Sequence, residues 1–462
     1  MFRRVLFSFM CFSLCSISSF AQSKDYSDSS FRTGEILNID VSIDNRDIKR
    51  IFDNPLNRTM YPAALTIHGE IINIGFGING KTTLLDNTRL DIRKLPLKIN
   101  FTSFKGNPYH GISEINLNNE YMDPSFMRES IAFDIFKEMG IPVPARSYAD
   151  LSINGRQFGF YYAVEEIGRG FCERYYNSTL GERYKPEGKG ANLEWLGFDE
   201  TAYKAMGPKT KAARQYRNLL KMVRAANFAA TPRELEAVLN VDQWLRYLAV
   251  CAALVNYDSF LAENSQNYFL YEKDGRFDIL PYDLGMSFGA LPMKNYTDIP
   301  VSELYIDDPT DGFTGSKPLI LKLFSFPEYV DKYHEYIKIV AENFLEESRF
   351  EQTVDNLAEL IRPYVQADTN SLYGEKSFDE DVIQLKEFAQ ARRISILDQL
   401  NGTAPSVGPN GPTDAQLSLE ANSAARNDIR NQEAIRANKT ALFIIVIALA
   451  VIFFFLVIKK RK

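Results

Sequence analysis

The feature that most constrains this chain is a change of hydrophobic period partway along it. Over residues 36 to 101 the segments ILNIDVSI, ALTIHGEIINIGF and LPLKINF alternate apolar and polar between turn breaks. A period of two puts one face of a strand on a core, so these segments predict a mostly antiparallel sheet. YADLSING and QFGFYYAVEE add a strand pair around the turn Asn154-Gly155. Between them, MDPSFMRESIAFDIFKEMG predicts one helix, opened by Asp123-Pro124 and closed at Gly140. From about Thr231 the period becomes helical, through PRELEAVLNVDQWLRYLAVCAALV, PEYVDKYHEYIKIVAENFL, RFEQTVDNLAELIRPYVQ and DEDVIQLKEFAQARRISILDQL. The expected fold is α+β and two-lobed, with a strand-rich N-terminal lobe over about 36–200 and a helical C-terminal lobe over about 201–400. Function is then expected in the cleft between the lobes.

The ends of the chain predict its compartment. Residues 1–21 carry Arg3 and Arg4, an apolar stretch, and Ser19-Phe20-Ala21, the pattern of a signal peptide. Residues 441–458, ALFIIVIALAVIFFFLVI, are uncharged and precede Lys459-Lys460-Arg461-Lys462. That run just meets the roughly 20 residues a helix needs to cross a bilayer, and a basic tail stays in the cytoplasm. The expectation is a single-pass cell-membrane protein whose globular domain, residues 22–400, is extracytoplasmic, either periplasmic or at the cell surface. Residues 401–440 are poor in large apolar side chains and read as a polar linker, disordered at its Pro/Gly start.

A net charge of −6 with no basic tract outside the tail argues against a nucleic acid partner. The three histidines, His68, His110 and His334, lack ligand spacing, which removes support for a zinc site or a Ser-His-Asp triad. Cys172 and Cys251 remain after processing, and their spacing fits a disulfide or two buried thiols equally.

The chemistry concentrates in residues 255–289, VNYDSFLAENSQNYFLYEKDGRFDILPYDLGMSFG. Asp258 follows the apolar run YLAVCAALV. NYFLY and RFDILPY then read as a hairpin turning at Lys273-Asp274-Gly275, with Asp283 leaving the second strand. Two carboxylates and an amide at one mouth suit Mg²⁺-dependent phosphoryl transfer: Asp258 accepts the proton of the attacking hydroxyl, while Asn267 and Asp283 hold metal on nucleotide phosphates. The same residues also fit a structural role, with Asp258 capping a helix end and Asn267 and Asp274 shaping turns.

This segment resembles the signature of the CotH family, spore-coat-protein-H-like atypical kinases of the secretory route. The resemblance rests on Asn256-Tyr257-Asp258, Asn267-Tyr268 and Pro281-Tyr282-Asp283. It continues upstream over residues 115 to 176, and downstream in KPLILKLFSFPEYVDKYHEYI and LKEFAQARRISILDQL, covering roughly residues 60 to 400. Two departures stand out: Ser259-Phe260 replaces a charged pair, and Asn79-Gly80-Lys81-Thr82 replaces an Arg-Gly-Asn-Ser-like element. The resemblance implies an atypical protein-kinase-like fold, which the strand-then-helix layout suits. It also implies ATP with Mg²⁺ (Mn²⁺ as an alternative) and an exported or surface protein as phosphoacceptor.

Further candidates bind nucleotide. In LPLKINF, Leu97, Ile99 and Phe101 face one way, so Lys98 faces the other and can reach phosphates, oriented by Glu129 of the MRESIAFDIF helix. Arg128 beside it is an alternative phosphate contact. Lys185 matches a Tyr-Lys element of the family. Gly75-Phe-Gly77-Ile-Asn-Gly80 is a GxGxxG without a βαβ context, so Gly77 and Gly80 are turn residues first and phosphate contacts second. The competing expectation is a kinase-like surface module that binds an envelope polymer or protein without catalysis.

Overall fold

The computed structural model describes residues 34–409 except 81, 90, 91, 93 and 212–215, together with 31, 411 and 441. The expected leader, most of the expected linker and residues 442–458 therefore lie outside the described residues. Among those described, no helix is long and apolar enough to cross a membrane.

Seven strands close into a barrel. These are β1 (Leu37–Ile43), β2 (Tyr61–Ile67), β3 (Glu70–Ile78), β4 (Leu97–Asn100), β5 (Glu114–Asn118), β6 (Arg146–Ile153) and β7 (Arg156–Glu165), in the order β1-β2-β3-β4-β5-β7-β6. All pairings are antiparallel except the closing one, where β1 runs parallel to β6 with Leu37 opposite Ala149. The alternation in the sequence is the cause: Val41, Leu65, Phe76, Leu97, Ile99, Leu117 and Leu151 point inward and are buried. Closure itself was not expected from the pattern, because alternation specifies a face and not a partner strand.

The barrel carries α1 (Asn45–Asp53) and α2 (Thr82–Arg89). The chain then passes α3 (Arg128–Glu138), α4 (Arg169–Tyr176) and β8 (Glu182–Tyr184) to reach the helical lobe. That lobe holds α5 (Arg217–Phe228), α6 (Pro232–Glu236), α7 (Val241–Ala253), β9 (Tyr268–Lys273), β10 (Arg276–Pro281), α8 (Pro318–Phe324), α9 (Pro327–Ile339), α10 (Glu347–Ala367) and α11 (Glu375–Leu400). The mixed α+β expectation holds.

A lobe boundary near residue 200 does not divide the cores, however. β8 pairs with β9 across it, and α3 joins the helical core, where Phe136 meets Tyr247 at a ring separation of 5.5 Å. Strand β7 is buried on both faces: Tyr161 and Ala163 fill the barrel, while Phe160 and Tyr162 face the helices. Phe160 stacks on Tyr364 of α10 at 5.4 Å. Buried polar ties reinforce the seam. Lys94 pairs with Asp368 at 2.7 Å, and Asp368 also accepts the Phe160 N–H at 2.9 Å.

Two local expectations need correction. Helix α3 starts at Arg128 and not at Pro124, because Asp123 turns its carboxylate onto the N–H groups of Ser125 and Arg128. The stretch after Leu400 is not linker from its first residue: Ser406 accepts the Asp307 N–H at 2.8 Å, so residues up to 409 continue the fold. Cys172 and Cys251 are both buried free thiols.

Candidate active site

Helix α7 delivers the first carboxylate. Its last turn closes with Val255 at φ 46 and the Asn256 N–H bonded to the Cys251 carbonyl at 2.9 Å. A β-branched residue in the left-handed region is strained and persists only where its surroundings over-determine it. Here the surroundings include Arg392 of α11, which is fully buried. Its guanidinium donates to the carbonyls of Ala253 (3.2 Å) and Ala252 (2.9 Å) at the α7 C-terminus. It also donates to those of Ser302 (3.0 Å) and Leu304 (2.5 Å). Burial lowers the Arg392 pKa to about 10, although the neighbouring Tyr257 and Tyr333 hydroxyls oppose that fall.

Past this cap, the Asn256 side chain accepts the Asp258 N–H at 3.0 Å and donates to Ser287 at 3.2 Å. Asp258 is half-buried, and its two carboxylate oxygens each accept one side-chain amide: Gln266 on Oδ1, and Asn267 on Oδ2 at 2.9 Å. Burial raises its pKa against those two hydrogen bonds. Gln266 was not anticipated, and no spacing rule marked it.

The hairpin of β9 and β10 supplies the second carboxylate. Its turn is Asp274-Gly275, both at positive φ (55 and 83), as a two-residue hairpin requires. The register sets Tyr268 opposite Pro281, so Asn267 and Asp283 emerge at the same open end. Both have left-handed backbone, φ 53 and 54. Asp and Asn tolerate that region better than most residues, and such outliers cluster at functional sites. Crowding in the cleft first, and the Asp258 charge second, push Asp283 up to about 6, with Lys185 pulling it down. Asp283 nevertheless keeps exposed surface, so solvent in the cleft weakens that coupling relative to a sealed site.

Lys185 follows β8, whose pairing with β9 places it against the same end of the hairpin. Its ammonium lies 3.9 Å above the Tyr282 ring and 5.4 Å from that of Phe269. Burial lowers its pKa, opposed by the charges of Glu166 and Asp283.

The barrel wall completes the cleft. On β5, Glu114, Asn116 and Asn118 share the face opposite Ile115 and Leu117. Asn116 donates to Glu166 at 2.8 Å, and Asn118 donates to Glu129 at 2.7 Å. Burial raises Glu166, but Lys185 and Lys98 more than offset it and bring the carboxyl below its usual range. Glu129, buried in α3, also accepts the Leu284 N–H at 3.3 Å. Burial first, then the Asp283 charge, push it up to about 8.

Several expectations fail on this geometry. Lys98 does face away from the barrel core, but it pairs with Glu114 at 2.9 Å and not with Glu129. Arg128 is committed to Asp123 at 2.6 Å and to Asp381 in a buried cluster, so it does not serve the cleft. Gly77 is not in a turn. It lies within β3 opposite Lys98, where a Cβ would come 2.8 Å from the Thr59 carbonyl oxygen. Gly80, at φ 83, is a turn residue as expected.

A family model described as CotH kinase protein matches residues 78–396. The chain belongs to the CotH family. Among curated proteins, it is 23% identical over 377 residues to the inner spore coat protein H of Bacillus subtilis (strain 168), covering 78% of this chain and 95% of that protein. The inner spore coat protein H-like protein of the same organism is 24% identical over 250 residues, covering 54% of this chain and 66% of its own. Two solved structures align more distantly. One is a Shewanella oneidensis MR-1 toxin–antitoxin complex of HipA, HipB and operator DNA, with TM-score 0.35, 12% identity, and coverage of 80% of this chain and 75% of that one. The other is the Helicobacter pylori proinflammatory kinase CtkA, with TM-score 0.26, 11% identity, and coverage of 71% and 92%. At such similarity neither locates a residue in the CotH chain.

Because Arg392 satisfies four carbonyls, Arg392→Met should destabilise the protein by about 1–3 kcal/mol for each carbonyl left buried and unpaired. Arg392→Lys should recover only part of that, since an ammonium lacks the planar fork. Urea denaturation measures both. A wild-type midpoint for Arg392→Met would refute the account of the α7 cap.

Proposed function

We propose that this CotH-family chain is a Mg²⁺-dependent kinase that transfers the γ-phosphoryl group of ATP to Ser or Thr hydroxyls of exported or surface proteins. The observation that carries this reading is the convergence of Asp258, Asn267, Asp283 and Lys185 on one cleft, where burial first and the Asp258 charge second raise the Asp283 pKa.

Among the described residues, no three His, Cys, Asp or Glu side chains form a metal cage. Mg²⁺ seldom uses one: it takes one or two protein carboxylates and fills its shell with phosphate oxygens and water. Asp283, together with Asn267 Oδ1, fits that pattern, since the Asn267 Nδ2 is already used on Asp258. The acidic crowd around Asp283 is what a divalent cation would relieve. When bound, the metal would neutralise charge developing on the transferred phosphoryl group.

The chain's own residues do the rest. Asp258 Oδ1 and Oδ2 each spend one lone pair on an amide and keep another free for the acceptor's proton. Its raised pKa brings it closer to the range of an effective base. As the acceptor oxygen bonds to the γ-phosphorus, the bond to the ADP oxygen breaks and the proton passes to Asp258. Lys185, which feels the charges of Glu166 and Asp283, would meet the phosphates in this reading, as one of the two lysines expected to do so.

With Mg²⁺ and ATP, Asp258→Ala and Asp283→Ala should each lower autophosphorylation by about 10²–10⁴-fold, the usual worth of a positioned base or electrostatic group. Unchanged transfer in folded variants would overturn the kinase reading. No thermal shift with any nucleotide and metal would favour the non-catalytic surface module instead.

Nucleotide binding should also depend on pH. Burial first and the Asp258 charge second push the Asp283 pKa up to about 6, and a carboxylate ligates metal only when ionised. The Mg²⁺-ATP-induced rise in Tm should therefore grow as pH increases through 6 and shrink below it. A flat profile in wild type would remove Asp283 from the metal site.

The leader and the 441–458 run support an extracytoplasmic globular part tethered at its C-terminus. Protease added to spheroplasts should digest that part and spare a short membrane stub. Full protection would refute the topology.

A further inference from the structure

The loop between Asp258 and Asn267 has an anchor that the proposed chemistry does not use. Lys317 is fully buried, and its ammonium donates to the carbonyls of Ala262 and Glu263 (the latter at 3.5 Å) and to the Ser265 hydroxyl. It also lies 5.7 Å from the Phe260 ring centroid. All of these partners belong to the one loop, and three of them are uncharged acceptors.

Such a residue is expensive to bury. An ammonium taken from water into a protein interior is tolerated only where its donors are satisfied. The Lys317 backbone is also fixed from both sides. Ser316 is held through its carbonyl by Asn192 at 2.9 Å, and Pro318 opens α8. The Lys317 N–H itself bonds to the Thr314 carbonyl at 2.9 Å. The amine is therefore presented by a rigid element to a loop that needs holding.

That loop carries unusual backbone. Ser265 and Asn267 have φ 44 and 53, two left-handed non-glycine residues within three positions. Conformations of this kind persist only when neighbouring contacts enforce them. Gln266 lies between them, and Gln266 and Asn267 are the residues whose amides fix the Asp258 carboxylate.

We propose that Lys317 is a positioning residue for the Asp258 centre: by tying Ala262, Glu263 and Ser265 to the start of α8, it holds Gln266 and Asn267 in the strained geometry that orients the base. This rests on the kinase reading for its catalytic consequence, but its structural consequence stands apart from it. Lys317 touches no substrate itself and acts through Gln266 and Asn267, so its loss should lower turnover by misplacing Asp258 and raise KM for Mg²⁺-ATP only as far as Asn267 moves with the loop.

Two measurements on the full-length protein separate these levels. Hydrogen exchange reads the loop directly. Lys317→Met should speed exchange of amides in 259–267 by about tenfold or more, while α7, α9 and α11 keep wild-type protection. Ser265→Ala, which removes one of the three acceptors, should give a smaller change in the same amides and covers the case in which Lys317→Met does not fold. Exchange unchanged in that loop, or raised equally throughout the lobe, overturns the proposal.

The second measurement is a kcat and KM split. In a protein that shows Asp258-dependent transfer, Lys317→Met should lower kcat by about tenfold or more, with any rise in KM for Mg²⁺-ATP smaller than the fall in kcat, as misplacement of a base predicts. A rise in KM alone would place Lys317 with nucleotide binding and refute the positioning role. If wild type shows no transfer, the kinase reading falls, and hydrogen exchange still decides the Lys317 proposal.

Discussion

A single guanidinium decides where the cleft's first carboxylate stands. Arg392 is buried without a carboxylate to pair with, and it is compensated by four carbonyl dipoles. Two of these are the last carbonyls of α7, where the helix dipole is negative and the C=O groups lack intrahelical partners. The other two belong to the segment at 302–304. One side chain from the last helix thus stops α7 and pins the segment that packs beside it. Val255 can then take its unfavourable φ, and the chain turns sharply enough to bring Asp258 back toward the hairpin. Arg is suited to this because its planar fork reaches several acceptors at once.

The second governing effect is uncompensated negative charge. Glu129 and Asp283 are pushed up to about 8 and about 6, in each case by burial first and a neighbouring carboxylate next. Glu120, buried at a left-handed position, is raised well above its ordinary range for the same reasons. Lys185 supplies one opposing charge and is itself partly desolvated. A fold gains nothing in stability from such an arrangement. The barrel wall shows the contrasting case: Lys98 pairs with Glu114 at 2.9 Å, and the charges of Lys185 and Lys98 outweigh burial at Glu166.

What the sequence made legible follows from how local each signal is. The Asp274-Gly275 turn, the two faces of β4 and the Gly140 helix stop depend on neighbours a few residues away, and each appears as expected. So does the meeting of Asp258, Asn267 and Asp283, because hairpin register brings the ends of β9 and β10 together once the hairpin is recognised. Barrel closure by β1 and β6 joins strands more than a hundred positions apart, and alternation carries no information about that. The surroundings of Lys98 and Lys185 escape the sequence for the same reason. Lys185 gains its place from a three-residue strand, β8, pairing across the assumed lobe boundary, whereas Lys98 finds a nearer partner on β5. Gln266 and Lys317 were invisible because a glutamine in a loop and a lysine before a proline are ordinary sequence.

The departure at Ser259-Phe260 takes on a definite meaning in this setting. A charged pair after Asp258 would have to enter a space that is wholly buried, since Ser259 and Phe260 are both inaccessible. Ser259 uses its hydroxyl on the Asn256 carbonyl at 2.7 Å. Phe260 fills an aromatic corner, edge-on to Trp244 at 5.3 Å and to Tyr268 at 5.4 Å. These two residues support the loop by packing and leave the orientation of Asp258 to neutral amides. Amide donors stabilise the carboxylate less than a neighbouring cation would, so burial prevails and the Asp258 pKa rises. Ser259 and Phe260 thus fix the loop without adding charge beside Asp258, and the carboxylate is oriented by the Gln266 and Asn267 amides alone among the described residues.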